Sequence, residues 1–117
     1  MAAPNLLNPS TITGKTAVQA VGTSATAIVT NSAASGKALK VNALYVSNVD
    51  GTDNADITLD IFRSSVAYHI GKTIVVPADA TLDIISKPIY LEEGDTLRLT
   101  ANAASDLEAV CSYEDIS

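Results

Sequence analysis

Apolar and polar side chains alternate along short segments of this chain, most clearly at 56–63, 81–86 and 95–100. Leu97 and Leu99 share one face of the last segment, with Thr96 and Arg98 on the opposite face. A period of two over five or six residues is typical of a strand that buries one face in an antiparallel sheet. These segments therefore predict strands.

Other apolar segments between turn residues predict further strands at 12–21, 25–30, 39–49, 66–70, 73–76 and 107–113. Gly71-Lys72 is predicted as a turn, and residues 101–106 as a turn or a short helix. Both faces of 39–49 contain apolar residues, which indicates a central strand. Eight to ten short strands predict an all-β antiparallel β-sandwich, jelly-roll-like, over residues 11–117. Residues 1–10 have no hydrophobic period and predict an extended N-terminal arm.

Composition agrees with packed sheets around a single core. Apolar residues make up 47% of the 117 residues, and only 4% are aromatic, so small and β-branched side chains must fill the interior. Cys111 alone cannot form an internal disulfide, and we expect it to be a buried core thiol, with a reactive thiol as the alternative. The chain starts without a secretory signal and has no membrane-spanning run, so we expect a soluble protein made in a cytoplasm.

Charge is distributed unevenly along the chain. The net charge is −6, but residues 1–49 contain three lysines and no acid, whereas residues 50–117 contain thirteen acids and four basic residues. An acidic protein is unsuited to bind nucleic acid. Either the two parts interleave in one sandwich, or the basic part of one copy contacts the acidic part of another.

The N-terminal segment contains the residues most suited to contact a partner. Leu6 and Leu7 are apolar residues on an otherwise irregular arm, and Lys15, Lys37 and Lys40 provide the positive charge that follows it. An arm of this kind can order when it binds a partner. The alternative is that both leucines cover the core of their own domain.

One acidic loop is a weak candidate for a metal site. Asp50, Asp53, Asn54 and Asp56 offer oxygen ligands suited to Ca²⁺. Their order differs from the helix-flanked calcium loop, and the same residue types are common in hairpin loops. We favour a hairpin loop and predict no bound metal or other cofactor.

Catalytic residues are not predicted. Ser65 and His69 with an aspartate could supply the residue types of a hydrolytic triad, but no nucleophile motif surrounds them. One histidine and one cysteine are too few for a zinc site. Gly94 lies in an acidic turn, which would repel a phosphate.

The segments PIYLEEGDTLRLTA (88–101) and DLEAVCSYEDIS (106–117), together with LYVSNVDGTDNADITLDIFR (44–63), resemble small structural proteins of tailed-bacteriophage virions. Within residues 39–117, the similarity implies an oligomeric β-sandwich, with a trimer favoured and no catalytic residues. It implies a capsid cement (decoration) protein that stabilises the phage head by binding the major capsid protein or other virion proteins. The alternatives are a tail, neck or fibre component with a receptor-binding role, and a non-viral β-sandwich binding module. On the first two hypotheses the protein is assembled in the host cytoplasm and located in the virion.

Overall fold

The fold is all-β, with two antiparallel sheets, and the computed structural model describes residues 3–117. Within this range every regular element is a strand. The strands are β1 (Ile12–Ala20), β2 (Thr26–Thr30), β3 (Ala38–Asn48), β4 (Ala55–Arg63), β5 (Val66–Val76), β6 (Thr81–Asp83), β7 (Ile89–Leu91), β8 (Thr96–Ala101) and β9 (Leu107–Ile116). No helix of the described residues is long and apolar enough to cross a membrane.

The first sheet has the strand order β1-β9-β3-β6, and β7 also pairs with β3. The second sheet has the order β2-β8-β4-β5. In both sheets, a strand from the first part of the chain pairs with one from the last part: β1 with β9, and β2 with β8. The basic and acidic parts of the sequence are therefore interleaved within the two sheets.

The hydrophobic core combines side chains from both sheets. Leu44 and Val46 of β3 are fully buried in the same cluster as Leu59 of β4 and Leu97 and Leu99 of β8. Burying one such side chain contributes about 1.5–3 kcal/mol relative to leaving it exposed. The alternation predicted for 95–100, and for 56–63 as far as Leu59, therefore marks the faces that meet in a β-sandwich-like arrangement.

Apolar residues occur on both predicted faces of 39–49 because the strand is locally irregular. Strand β3 contains a bulge between Val41 and Ala43, and this extra residue reverses which side chains face inward. Val41 is buried before the bulge and Leu44 after it, whereas Tyr45 is 45% exposed. A regular period of two along 39–49 predicts that Tyr45 shares a face with Val41, and this prediction is wrong because the period cannot represent a bulge.

The predicted turn at Gly71-Lys72 is also wrong, because β5 continues through it. The strand accommodates two irregularities in its pairing with β4, on either side of Leu59. Thr73 adopts a φ of 62°, a left-handed conformation that is uncommon for a β-branched residue. Residues 101–106, predicted as a turn or short helix, form turns and bends between β8 and β9.

Candidate interaction surfaces

The segment before β1 is held at its C-terminal end and exposes its two leucines. The backbone N–H groups of Ser10 and Thr11 donate to the carbonyl oxygen of Ser117 at 2.7 and 3.0 Å, and Ser117 N–H donates to Thr11 at 2.9 Å. Leu7 is 94% exposed and Leu6 is 49% exposed. The alternative that both leucines cover the core therefore does not hold for Leu7, which is available for an external contact.

Two of the lysines predicted to contact a partner lie against an acid of their own chain. The ammonium groups of Lys15 and Lys37 lie 2.9 and 3.1 Å from Oδ2 of Asp115, whose side chain is 10% exposed. The hydrogen bond and charge of Asp115 raise the pKa of Lys15. Burial alone would raise the pKa of Asp115, but hydrogen bonds from both lysines lower it below its usual value. The third candidate, Lys40, pairs in register with Glu114.

A second ion cluster, not predicted from the sequence, joins the end of β4 to the turn between β7 and β8. Arg63 donates from Nε to Oδ1 of Asp95 at 2.6 Å and from Nη2 to Oε2 of Glu92 at 2.9 Å. The Asp95 side chain is 1% exposed and also accepts a hydrogen bond from the Glu92 N–H at 2.9 Å. Burial alone would raise the pKa of Asp95, but these donors lower it overall. This geometry closes a turn and leaves no carboxylate oxygen of Asp95 for a ligand.

The residue types considered for a hydrolytic triad lie on β4, on β5 and in the turn between them. Asp60 pairs in register with His69 across β4 and β5, but its carboxylate accepts hydrogen bonds from Arg98 at 2.8 and 3.2 Å. Arg98 also lies 4.0 Å from the centre of the Phe62 ring, which adds a cation–π contact. Ser65 occupies the tight turn between β4 and β5. These contacts give Asp60 a structural partner in Arg98.

The acidic loop at 50–56 is organised by its own backbone. Oδ1 of Asp50 accepts hydrogen bonds from the N–H and the hydroxyl of Thr52, both at 2.9 Å, and the N–H bond is the main cause of its lowered pKa. Oδ1 of Asn54 accepts from the Ala78 N–H at 3.3 Å, and the carbonyl of Asp53 accepts from Asn48 at 2.9 Å. Across residues 3–117 no group of three or more His, Cys, Asp or Glu side chains is placed to hold a metal ion.

An exposed apolar row crosses the outer face of the first sheet. Val18, Val110 and Tyr45 are in register on the neighbouring strands β1, β9 and β3. Their exposed fractions are 75%, 40% and 45%, respectively. A groove of about 330 Å³ lies beside this row, lined in part by Ala20 and Glu108. This row extends from β1 across β9 to β3, and the two exposed leucines lie on the segment before β1.

No protein-family model matches this chain, and no curated protein matches its sequence. Among solved structures, it is similar to one of Bacillus endospore appendages, which are described as a novel family of disulfide-linked pili. The superposition has a TM-score of 0.54 and 16% sequence identity, and it covers 92% of this chain and 88% of the other. At this identity, the similarity shows a shared fold.

This comparison contradicts the function predicted from the sequence. The similar structure is a pilus-type protein of bacterial endospores, not a component of a phage particle. The predicted role as a capsid cement protein, with its alternative of a virion tail, neck or fibre component, is therefore wrong. Acidic Gly-Asp turns before Leu-x-Leu strands reflect the needs of β-hairpins in general, so they do not distinguish these classes of protein.

Proposed function

We propose that this protein is a structural subunit that assembles with further copies of itself into a pilus-like bacterial appendage. The observation that carries the proposal is the exposed Leu6-Leu7 pair on a segment fixed to the domain at Ser10 and Thr11. An apolar pair presented beside a rigid domain gains stability when it is buried on another subunit. The structural similarity to a pilus-type protein supports the same class of function.

Assembly of this protein is non-covalent on this proposal. The similar pili are described as disulfide-linked, whereas the single cysteine of this chain, Cys111, is fully buried in β9. Its neighbours in register are Ala17 of β1 and Leu44 of β3, both within the same sheet. A thiol at the centre of a sheet cannot reach a cysteine of another subunit, so apolar and backbone contacts must hold the copies together.

We further interpret the fold as a jelly roll preceded by an N-terminal arm. Two four-stranded sheets with Greek-key connections define a jelly roll. The orders β1-β9-β3-β6 and β2-β8-β4-β5 support this interpretation, because successive strands change sheets at β1–β2, β2–β3 and β3–β4. In such a fold the N-terminus of β1 lies at a sheet edge, from which the preceding segment, with its turn at Asn5–Asn8, presents the two leucines to a neighbouring subunit.

Electron microscopy of the purified full-length chain tests the proposal. We expect filaments with the unsubstituted chain and none with the double variant L6S/L7S, because the two hydroxyls remove the apolar surface that the contact buries. Val49→Ser is the matched control, since Val49 is 51% exposed and Leu6 is 49% exposed. The control should form filaments like the unsubstituted chain.

Circular dichroism separates loss of assembly from loss of folding. Both variants should keep the β-sheet spectrum and a melting temperature close to that of the unsubstituted chain, because all three side chains lie at the surface. Filaments that form equally well with L6S/L7S would contradict the role of the leucine pair. A chain that stays monomeric under all assembly conditions would contradict the proposed function and favour a soluble binding module.

A further inference from the structure

The four edges of the two sheets differ in how well they could pair with another strand. In the described part of the chain, β6 and β7 have three residues each, and β2 has five residues with a bulge between Ala27 and Val29. The long edge strand β5 contains two irregularities and the left-handed Thr73. Short strands and bulges are the usual protection of a sheet edge. These three edges are therefore poor templates for a partner.

Strand β1 lacks this protection. Its nine residues pair with β9 in one uninterrupted register, from Ile12 with Ile116 to Ala20 with Glu108. Thr11 and Ser117 exchange backbone hydrogen bonds at the start of the ladder, and Val21 N–H donates to Leu107 at its end. In an antiparallel ladder, every second residue bonds to the same neighbour. The odd-numbered residues therefore bond to β9, and the even-numbered residues direct their N–H and C=O groups to the open side.

The side chains of the even-numbered residues of β1 are complementary to those of a second copy of the same strand. The even-numbered residues are Ile12, Gly14, Thr16, Val18 and Ala20, all uncharged and exposed. If two copies run antiparallel about Thr16, Ile12 faces Ala20, Val18 faces Gly14, and Thr16 faces its counterpart. Each large side chain then lies opposite a small one. A Cβ at Gly14 would meet no atom within 4 Å, which leaves space for the opposing Val18.

We propose that two copies of this chain form a two-fold dimer by pairing their β1 strands antiparallel, centred on Thr16. The five facing pairs exchange about ten backbone hydrogen bonds. The single charge of the strand, Lys15, lies opposite Ala17 and keeps its own bond to Asp115. Ile12 of one copy packs beside the groove lined by Val18, Ala20 and Val110 of the other. The first sheets of the two copies become one continuous sheet.

This dimer goes beyond the proposed appendage and does not rest on it, because it uses β1 and not the leucine pair. A two-fold contact is closed, so it cannot by itself form a fibre. The dimer is therefore measured in the L6S/L7S chain, in which further assembly is removed. Sedimentation velocity should give twice the monomer mass of 12.1 kDa.

Charge substitutions at Thr16 test the position of the two-fold axis. Thr16→Lys and Thr16→Asp, each in the L6S/L7S chain, should be monomeric because like charges face each other across the axis. An equimolar mixture of the two variants should recover a dimer that contains one copy of each. Ordinary folding of both variants is expected, since Thr16 is exposed and pairs in register with the small, half-buried Ser112 on β9.

A lysine variant on the edge strand β5 serves as the control for Thr16→Lys. Val75→Lys should leave the dimer unchanged, because Val75 is 51% exposed on the protected edge.

A dimer that persists in the Thr16→Lys variant, or a Lys and Asp mixture that stays monomeric, would overturn the proposed pairing. An L6S/L7S chain that is monomeric would overturn the dimer, and filaments of the unsubstituted chain would still support the proposed function. If deletion of residues 1–10 removes the dimer but Thr16 charges do not, the occupant of the edge is an N-terminal arm.

Discussion

Ser64 and Ser65 form a two-residue hairpin turn in an unfavourable, left-handed conformation. Their φ values are 51° and 62°, and they connect Arg63 to Val66 in the β4–β5 hairpin. Two consecutive positive φ values define the hairpin turn for which Asn-Gly is preferred. The double variant S64N/S65G should therefore raise the free energy of unfolding by about 1 kcal/mol.

Urea denaturation measures this change in the L6S/L7S chain with Thr16→Lys, which is expected to be monomeric. Ser24→Gly provides the control, because Ser24 is not among the residues with positive φ. Glycine there only increases the entropy of the unfolded chain, so the control should be neutral or less stable. An equal gain in both variants would show that turn strain is not the cause.

Asp95 holds the turn between β7 and β8 through its contacts with Arg63 and the Glu92 N–H. Asp95→Asn keeps the shape but replaces one acceptor oxygen by an NH₂ group, which faces donors. We expect a loss of about 1–3 kcal/mol in the free energy of unfolding. Asp53→Asn at an exposed position should change it little. Equal effects of the two substitutions in urea denaturation would contradict the role of the ion cluster.

The lowered pKa values of Asp95 and Asp115 make stability depend on pH in acid. The usual value is 3.8, and both folded-state values lie below it. The unfolded chain therefore binds protons first as the pH falls. The stabilisation that the two ionised carboxylates provide is complete when the pH is above their usual pKa. It is lost as the pH falls from there through the folded-state pKa values. Thermal melts between pH 6 and about 2 should show this decline, and Asp95→Asn should make it shallower.

Gly71 shows how a packing constraint acts at the scale of one strand. A Cβ at this position would overlap the terminal methyl group of Ile74, because the irregular β5 brings the two residues together. Gly71→Ala should therefore cost about 1–3 kcal/mol of unfolding free energy. Gly22→Ala is the control, since its Cβ would meet no atom within 4 Å. A comparison of their urea midpoints tests this, and similar values would show that Ile74 moves aside without cost.

The strands predicted best from the sequence are those that are regular. Strand β8 alternates throughout and β9 alternates from Leu107 to Cys111, so a period of two locates buried residues there, such as Leu97 and Cys111. Strands β3 and β5 are irregular, and bulges change the facing of residues without any change in composition. The bulge near Asn42 depends on pairing with β9, and the left-handed Thr73 depends on irregular pairing with β4, so a pattern within one strand cannot contain them.

The sequence predicts some of the candidate surfaces and contacts and not others. The Leu6-Leu7 pair is predictable from the sequence because apolar residues on an irregular segment are unusual. The Arg63–Asp95 contact is not predictable from the sequence, because the two residues are 32 positions apart and meet only through the pairing of β4 with β8. The open edge of β1 likewise depends on the order of strands in the sheet. These surfaces follow from topology, which local sequence patterns do not specify.

At the scale of the whole molecule, the burial of Cys111 decides how copies can be linked. The thiol is fully buried, and burial raises its pKa to about 11. The reactive thiolate is therefore scarce at neutral pH, and reagents cannot reach the sulfur while the sheet is intact.

Filaments of this protein should dissolve to monomers on a non-reducing denaturing gel, and a reducing agent should not shorten them. Alkylation should be slow in the native filament and fast in urea. A reductant-sensitive dimer band that persists when alkylating reagent is added with the urea forms before denaturation, and it would contradict non-covalent assembly. A dimer band that is absent under the same treatment would reflect oxidation after unfolding.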